Sequence, residues 1–168
     1  MIVIADTAPI NYLVLIGEQK LLPALFGQVI IPAAVYRELL ATATPQVVRQ
    51  WLSNHPQWLE IRQATMAPDT SLSHLDEGER EAIQLAEELG ADLLLVDEKA
   101  ARREAARRRL ATSGTLGVLD RAAEKGLVDF FQAFQHLKHT SFYMSPTVER
   151  FFLAREAQRK SRRKEPQA

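Results

Sequence analysis

The stretch Leu93-Leu94-Leu95-Val96-Asp97 decides how this chain is read. A short, continuous apolar run of this kind suits a strand buried on both faces, as in a parallel sheet. The chain opens in the same form, with Ile2-Val3-Ile4-Ala5-Asp6. In open parallel sheets, ligands lie at the carboxyl ends of the strands. Two strands that each end in aspartate therefore place two carboxylates on one sheet edge. Like charges so placed are costly unless a cation neutralises them. A divalent metal is the expected cation.

Working outward, strands and helices alternate. A helical segment carries Ile10, Leu13, Val14, Leu21, Leu22 and Leu25 as its apolar positions. Val29-Ile30-Ile31 is a second short strand, stopped by Pro32, which suits the first turn of a helix. Val35, Leu39 and Leu40 share one face of that helix, and a short helix follows to about residue 54. Residues 58–61 read as a lesser strand or an extended connection, and 62–74 as a loop. The clearest helix begins near Asp76, where Ala82, Leu85, Ala86 and Leu89 form an i, i+3, i+4, i+7 stripe. Gly90 ends it. An Ala/Arg-rich helix follows Asp97 to about Leu110, and Gly114-Thr115-Leu116-Gly117 turns into another that ends near Gly126. Two further helices are expected over about 129–137 and 145–158. The alternation predicts an α/β fold whose central, mainly parallel sheet is covered by helices on both faces. One domain is expected over residues 1–158, and a basic, disordered tail over 159–168.

Composition narrows the chemistry. The 168 residues are 46% hydrophobic and 25% charged, enough for one proper core. There is no cysteine, so disulfides and thiolate metal sites are excluded. The four histidines are scattered, and His136 and His139 read as solvated rather than as zinc ligands. No apolar stretch approaches the roughly twenty residues that cross a bilayer. The opening lacks a basic region and is too short for a signal peptide, so a cytoplasmic protein is expected. Twenty-one basic residues balance 21 acidic ones. A whole-molecule field for nucleic acid is thus absent, but the charges are segregated. Lys99, Arg102, Arg103, Arg107, Arg108 and Arg109 crowd one stretch, and Arg159, Lys160, Arg162, Arg163 and Lys164 crowd the tail. Lys99, Arg103 and Arg107 align at four-residue spacing, beside Asp97. They suit a polyanion; a solvated face supported by Glu104–Arg108 pairing suits them equally. The aromatic residues near the C-terminus read as core or contact surface.

Two further acids sit where acids are rarely found. Glu38 shares a helix face with Val35, Leu39 and Thr42, and Glu79 extends the apolar stripe formed with Ala82 and Ile83. Glutamate is seldom buried unless paired or bound to metal. Each one alone is also explained by its stem covering apolar surface, and Asp6 and Asp97 are each explained as helix caps. Together, two strand-end aspartates and two inward glutamates from four elements suit Mg²⁺ or Mn²⁺, which take oxygen ligands. Such a cluster serves phosphodiester hydrolysis without a serine, cysteine or histidine nucleophile. Asp76, three residues before Glu79, reads mainly as a capping-box residue. Glu98 is a neighbour within reach of the cluster through water.

Four segments now resemble one family. Ile-Val-Ile-Ala-Asp6-Thr7-Ala8-Pro9-Ile10 resembles the opening of PIN-domain nucleases, and Ile31-Pro32-Ala-Ala-Val35-Tyr-Arg-Glu38-Leu39 their second acidic segment. Leu75-Asp76-Glu-Gly78-Glu79-Arg-Glu-Ala82-Ile83 and Leu94-Leu95-Val96-Asp97-Glu98-Lys-Ala-Ala-Arg102 resemble the third and fourth. Gly114-Thr-Leu-Gly117-Val-Leu is similar to a prokaryotic subgroup related to VapC-type toxins. The resemblance implies a three-layer α/β/α sandwich, a Mg²⁺ or Mn²⁺ site and RNA cleavage. It carries catalytic and metal-binding roles onto Asp6, Glu38, Glu79 and Asp97. Thr7 matches a hydroxyl beside the first aspartate and, with Lys99, Arg102 and Arg103, is expected to touch substrate. Ala8 stands where Ser or Gly is more usual, and Glu98 where the subgroup has a second aspartate. A small antitoxin partner and a homodimer are further implications. The alternative is a PIN-fold module that binds protein or RNA with little catalysis. Phosphatase and receiver-domain readings fail because Ala8 occupies the place of a second aspartate and Asp6 stands alone at the first strand.

Overall fold

The computed structural model describes residues 1–164. By its contacts the chain divides into two compact units, Met1–Thr115 and Leu116 onward. The first unit holds the whole sheet. Its strands β1 (Val3–Ala5), β2 (Val29–Pro32), β3 (Leu59–Arg62), β4 (Leu93–Leu95) and β5 (Thr112–Ser113) lie in the order β3-β2-β1-β4-β5. Every pairing is parallel. β1 is central, with Ile4 beside Ile30 on one side and Leu94 on the other. The helices are α1 (Thr7–Leu15), α2 (Leu21–Phe26), α3 (Ala33–Leu40), α4 (Gln46–Ser53), α5 (Glu77–Leu89), α6 (Lys99–Arg107), α7 (Thr115–Glu124), α8 (Phe130–Lys138) and α9 (Pro146–Lys164). The architecture is a three-layer α/β/α sandwich.

Side chains alternate across a strand, so interior strands covered on both faces, as β1 and β2 are, leave no polar position within them. Ile4, Ile30, Leu94 and Val96 pack with Ala82, Ile83 and Ala86 of α5 and Ala101 and Ala105 of α6. Val3, Ala5, Val29 and Ile31 point the other way and are fully buried too. That accounts for the unbroken apolar runs in the sequence. α5 begins with a complete capping box at Asp76 and Glu79 and stops at Gly90, whose φ of 58° is the left-handed turn glycine permits.

The expected helix after β1 is two helices, separated at Gly17, which has a φ of 78°. β5 was not foreseen. It is a two-residue edge strand of Thr and Ser, with no apolar run to announce it. The loop before α5 is stapled by side chains. Glu88 accepts from the amides of Thr65 and Met66, the Gln84 amide donates to the Ala67 carbonyl, and Arg108 reaches Asp69 and Ser71.

In the second unit, Phe130 stacks with Phe134 and Phe152 at 5.7 and 6.3 Å. Phe131, Tyr143 and Phe151 are exposed. The expected disordered tail from residue 159 is corrected here: α9 continues to Lys164. Its cations have partners both on α9 itself and on α7. Arg159 is buried against Asp120 and Glu156, Arg155 pairs with Asp120, and Arg162 pairs with Glu124. Residues 165–168 of the expected tail lie outside the described residues. Among the described residues no helix is long and apolar enough to cross a membrane.

Candidate metal centre

Asp6 follows β1 directly, and its N–H donates to the Leu95 carbonyl at 2.9 Å, continuing the ladder to β4. It occupies the N-cap position of α1, yet its side chain makes no capping hydrogen bond. Capping therefore does not explain it. The residue is 4% exposed, and its Oδ1 has no hydrogen-bond partner. Burial pushes the carboxyl up to about 8; the charges of Asp76, Glu79 and Glu38 push the same way, against a hydrogen bond from the Thr7 amide. A buried acceptor left unpaired is costly.

Glu38 extends from α3. Its Oε1 accepts from the Gly78 amide at 2.9 Å, and its Oε2 accepts from the Thr7 hydroxyl. Gly78 makes this approach possible: a Cβ there would fall 2.5 Å from Oε2 and 2.8 Å from Oε1. Asp76 caps α5, accepting from the Glu79 amide at 2.8 Å through Oδ1. One oxygen from each of Asp6, Glu38 and Asp76 lies within 4.8 Å of the others.

This grouping differs from the expected set of Asp6, Glu38, Glu79 and Asp97. Asp76 stands in it, while Glu79 and Asp97 lie outside it. Glu79 is buried, and its Oε2 accepts from the Asp76 amide at 3.1 Å. Burial raises its pKa, and the charges of Asp76, Glu98 and Glu38 raise it further. It is thus an electrostatic neighbour of the group. Asp97 stands at the same sheet edge with both oxygens engaged by Thr115: Oδ1 accepts from the amide at 2.7 Å and Oδ2 from the hydroxyl at 2.6 Å. Burial pushes its carboxyl up, and the two Thr115 hydrogen bonds and the charge of Arg102 oppose that rise. Glu98 is exposed and makes no capping bond; its charge is felt at both Glu79 and Asp97. The capping role of Asp76 was legible from its spacing to Glu79. Its proximity to Asp6 and Glu38 was not, because it depends on how α5 lies against α3 and β1.

The remaining expected site residues divide in two. The Thr7 hydroxyl is committed to Glu38. Lys99, Arg102 and Arg103 are exposed on the first turns of α6, immediately beyond the sheet edge. The donors of the acidic group are all carboxylate oxygens, without nitrogen or sulfur. That is the donor set of a hard divalent cation. The orphaned Asp6 Oδ1 fits such an ion, and Asp6, Glu38 and Asp76 are the residues that would hold it.

A parallel sheet with an acidic carboxyl edge and an oxygen-only donor group defines an α/β fold with a candidate site for a hard divalent cation. The sequence matches the family model described as PIN domain over residues 2–158, and the chain belongs to the PIN-domain family. No curated protein matches the sequence.

Proposed function

We propose that this protein is a metal-dependent endoribonuclease that hydrolyses phosphodiester bonds of single-stranded RNA with Mg²⁺ or Mn²⁺. The observation that carries this reading is the buried Asp6 oxygen without a partner, beside two more carboxylates from separate elements. Three converging acids destabilise a metal-free site; they are tolerated where a dication is the intended partner. Bound there, a dication supplies charge neutralisation at a scissile phosphate. The chain's own contributions are separable. Asp6, Glu38 and Asp76 bind the ion, Thr7 and Gly78 fix Glu38, and Glu79 holds Asp76. Lys99, Arg102 and Arg103 supply the positive flank for the RNA backbone. In this reading Asp97, at the carboxyl end of β4, is a further ligand beside the three grouped acids, and Glu98 reaches the ion through water. The Gly114–Leu119 likeness to toxin-type relatives supports a role as the toxin of a toxin–antitoxin pair. That role implies a cytoplasmic homodimer held inactive by a small antitoxin.

The test is cleavage of a labelled single-stranded RNA by purified protein with Mn²⁺ or Mg²⁺. Asp6→Asn is expected to lower the rate by more than about 100-fold, beyond the loss typical of a group that only supports a metal ligand. Circular dichroism should stay unchanged, because an amide replaces a carboxyl that is largely neutral at pH 7. Cleavage that survives in Asp6→Asn or in excess chelator contradicts the proposal.

A further inference from the structure

Glu38 of α3 and Asp97, which follows β4, are held in the same manner. Glu38 takes one amide, from Gly78, and one threonine hydroxyl, from Thr7. Asp97 takes one amide and one hydroxyl, both from Thr115. We infer that Thr115 is the positioning residue of Asp97, fixing its carboxylate at two points so that it enters the metal site in one orientation. This rests on the metal-dependent reading above.

Three observations support it. Thr115 is fully buried, so water cannot take the place of its hydroxyl at Asp97 Oδ2. Gly114 leaves the room required: a Cβ there would lie 2.5 Å from Asp97 Oδ1 and 3.4 Å from the Val96 carbonyl. The short β5 sets the height of both residues through the pairs Leu94–Thr112 and Leu95–Ser113, and the Val96 amide donates to the Ser113 carbonyl at 2.8 Å. A carboxylate has about four lone-pair sites. Thr115 occupies one on each oxygen, so one on each oxygen stays uncommitted. Two charge-assisted bonds also stop the carboxylate from rotating. A single threonine thereby decides which lone pairs Asp97 offers.

The experiment measures Mn²⁺ affinity by calorimetry in the full chain, alongside thermal unfolding without metal. Thr115→Val keeps the shape and removes the hydroxyl. It is expected to weaken Mn²⁺ binding about tenfold, as loss of a group that orients a metal ligand does. Thr115→Ser should restore affinity to within about twofold of the unsubstituted chain, which a purely packing role would not do. Thr115→Ala, which removes the same hydroxyl with less bulk, should give the same loss and takes the place of Thr115→Val if that variant does not fold. Unsubstituted affinity in folded Thr115→Val, with Asp6→Asn still abolishing binding, overturns the inference and leaves the metal reading standing. Absence of Mn²⁺ binding by the unsubstituted chain overturns both.

Discussion

Asp6 is an acid kept mostly neutral by its surroundings, and that has a thermodynamic sign. Its carboxyl titrates near the ordinary value of 3.8 when unfolded and is pushed up to about 8 when folded. Between those values the folded chain holds a proton that the unfolded chain has released. Stability linked to this group is fully present below the unfolded value and is lost as pH rises through the folded one. The metal-free protein should therefore lose stability steadily from pH 5 to pH 8, and Asp6→Asn should flatten that slope; urea midpoints at the two pH values measure both. The same proton opposes a cation. Mn²⁺ binding at pH 6.5 should release about one proton, read from the dependence of the calorimetric enthalpy on buffer ionisation. Binding that releases no proton would mean Asp6 is not a ligand.

At the scale of elements, the contact between α3 and α5 sets the site, and it turns on Gly78. Alanine at a helical position is about 0.5–1 kcal/mol more favourable than glycine. At Gly78 the atoms nearest to its Cβ are all in the carboxylate end of Glu38. Gly78→Ala should leave metal-free stability equal or up to about 1 kcal/mol higher, while Mn²⁺ affinity falls because Glu38 is displaced. Denaturant unfolding and calorimetry on the same preparation check the opposite signs, and a joint fall in both would show that Gly78 serves packing alone. This explains what could be read from the sequence. β1, β4 and α5 announce themselves through apolar runs, a helical stripe, a capping box and a terminal glycine, all local signals. Asp6 and Glu38 were legible as acids in apolar settings. β5 was not, because Thr112 and Ser113 carry no such signal and are strand only by pairing with Leu94 and Leu95. Asp76 as a group member and Thr115 as the partner of Asp97 were equally hidden. Each depends on a contact spanning many residues, and no local pattern encodes which way a side chain turns.

Over the whole molecule, charge is balanced in number but not in use. The cations of α9 are largely spent on partners: Arg155 and Arg159 on Asp120, Lys160 on Glu156 and Arg162 on Glu124. Arg108 of the α6 segment is similarly spent on Glu104, Glu87 and Asp69. Lys99, Arg102 and Arg103 are exposed and in no ion pair among the described residues. A cation held by a carboxylate must leave that partner before it can neutralise a phosphate and release the counterions condensed on the RNA, whereas a free one need not. The two basic clusters, alike in sequence, should therefore contribute unequally to RNA binding. For single strands each phosphate contact contributes about 0.7 to the slope of log affinity against log salt. Replacing Lys99, Arg102 and Arg103 together with alanine in the Asp6→Asn background should lower that slope by about 2 in fluorescence anisotropy with a single-stranded RNA. Replacing Lys160 and Arg162 should leave it nearly unchanged. If instead the α9 pair carries the salt dependence, the RNA follows a path away from the first turns of α6, and the positive flank assigned there is wrong.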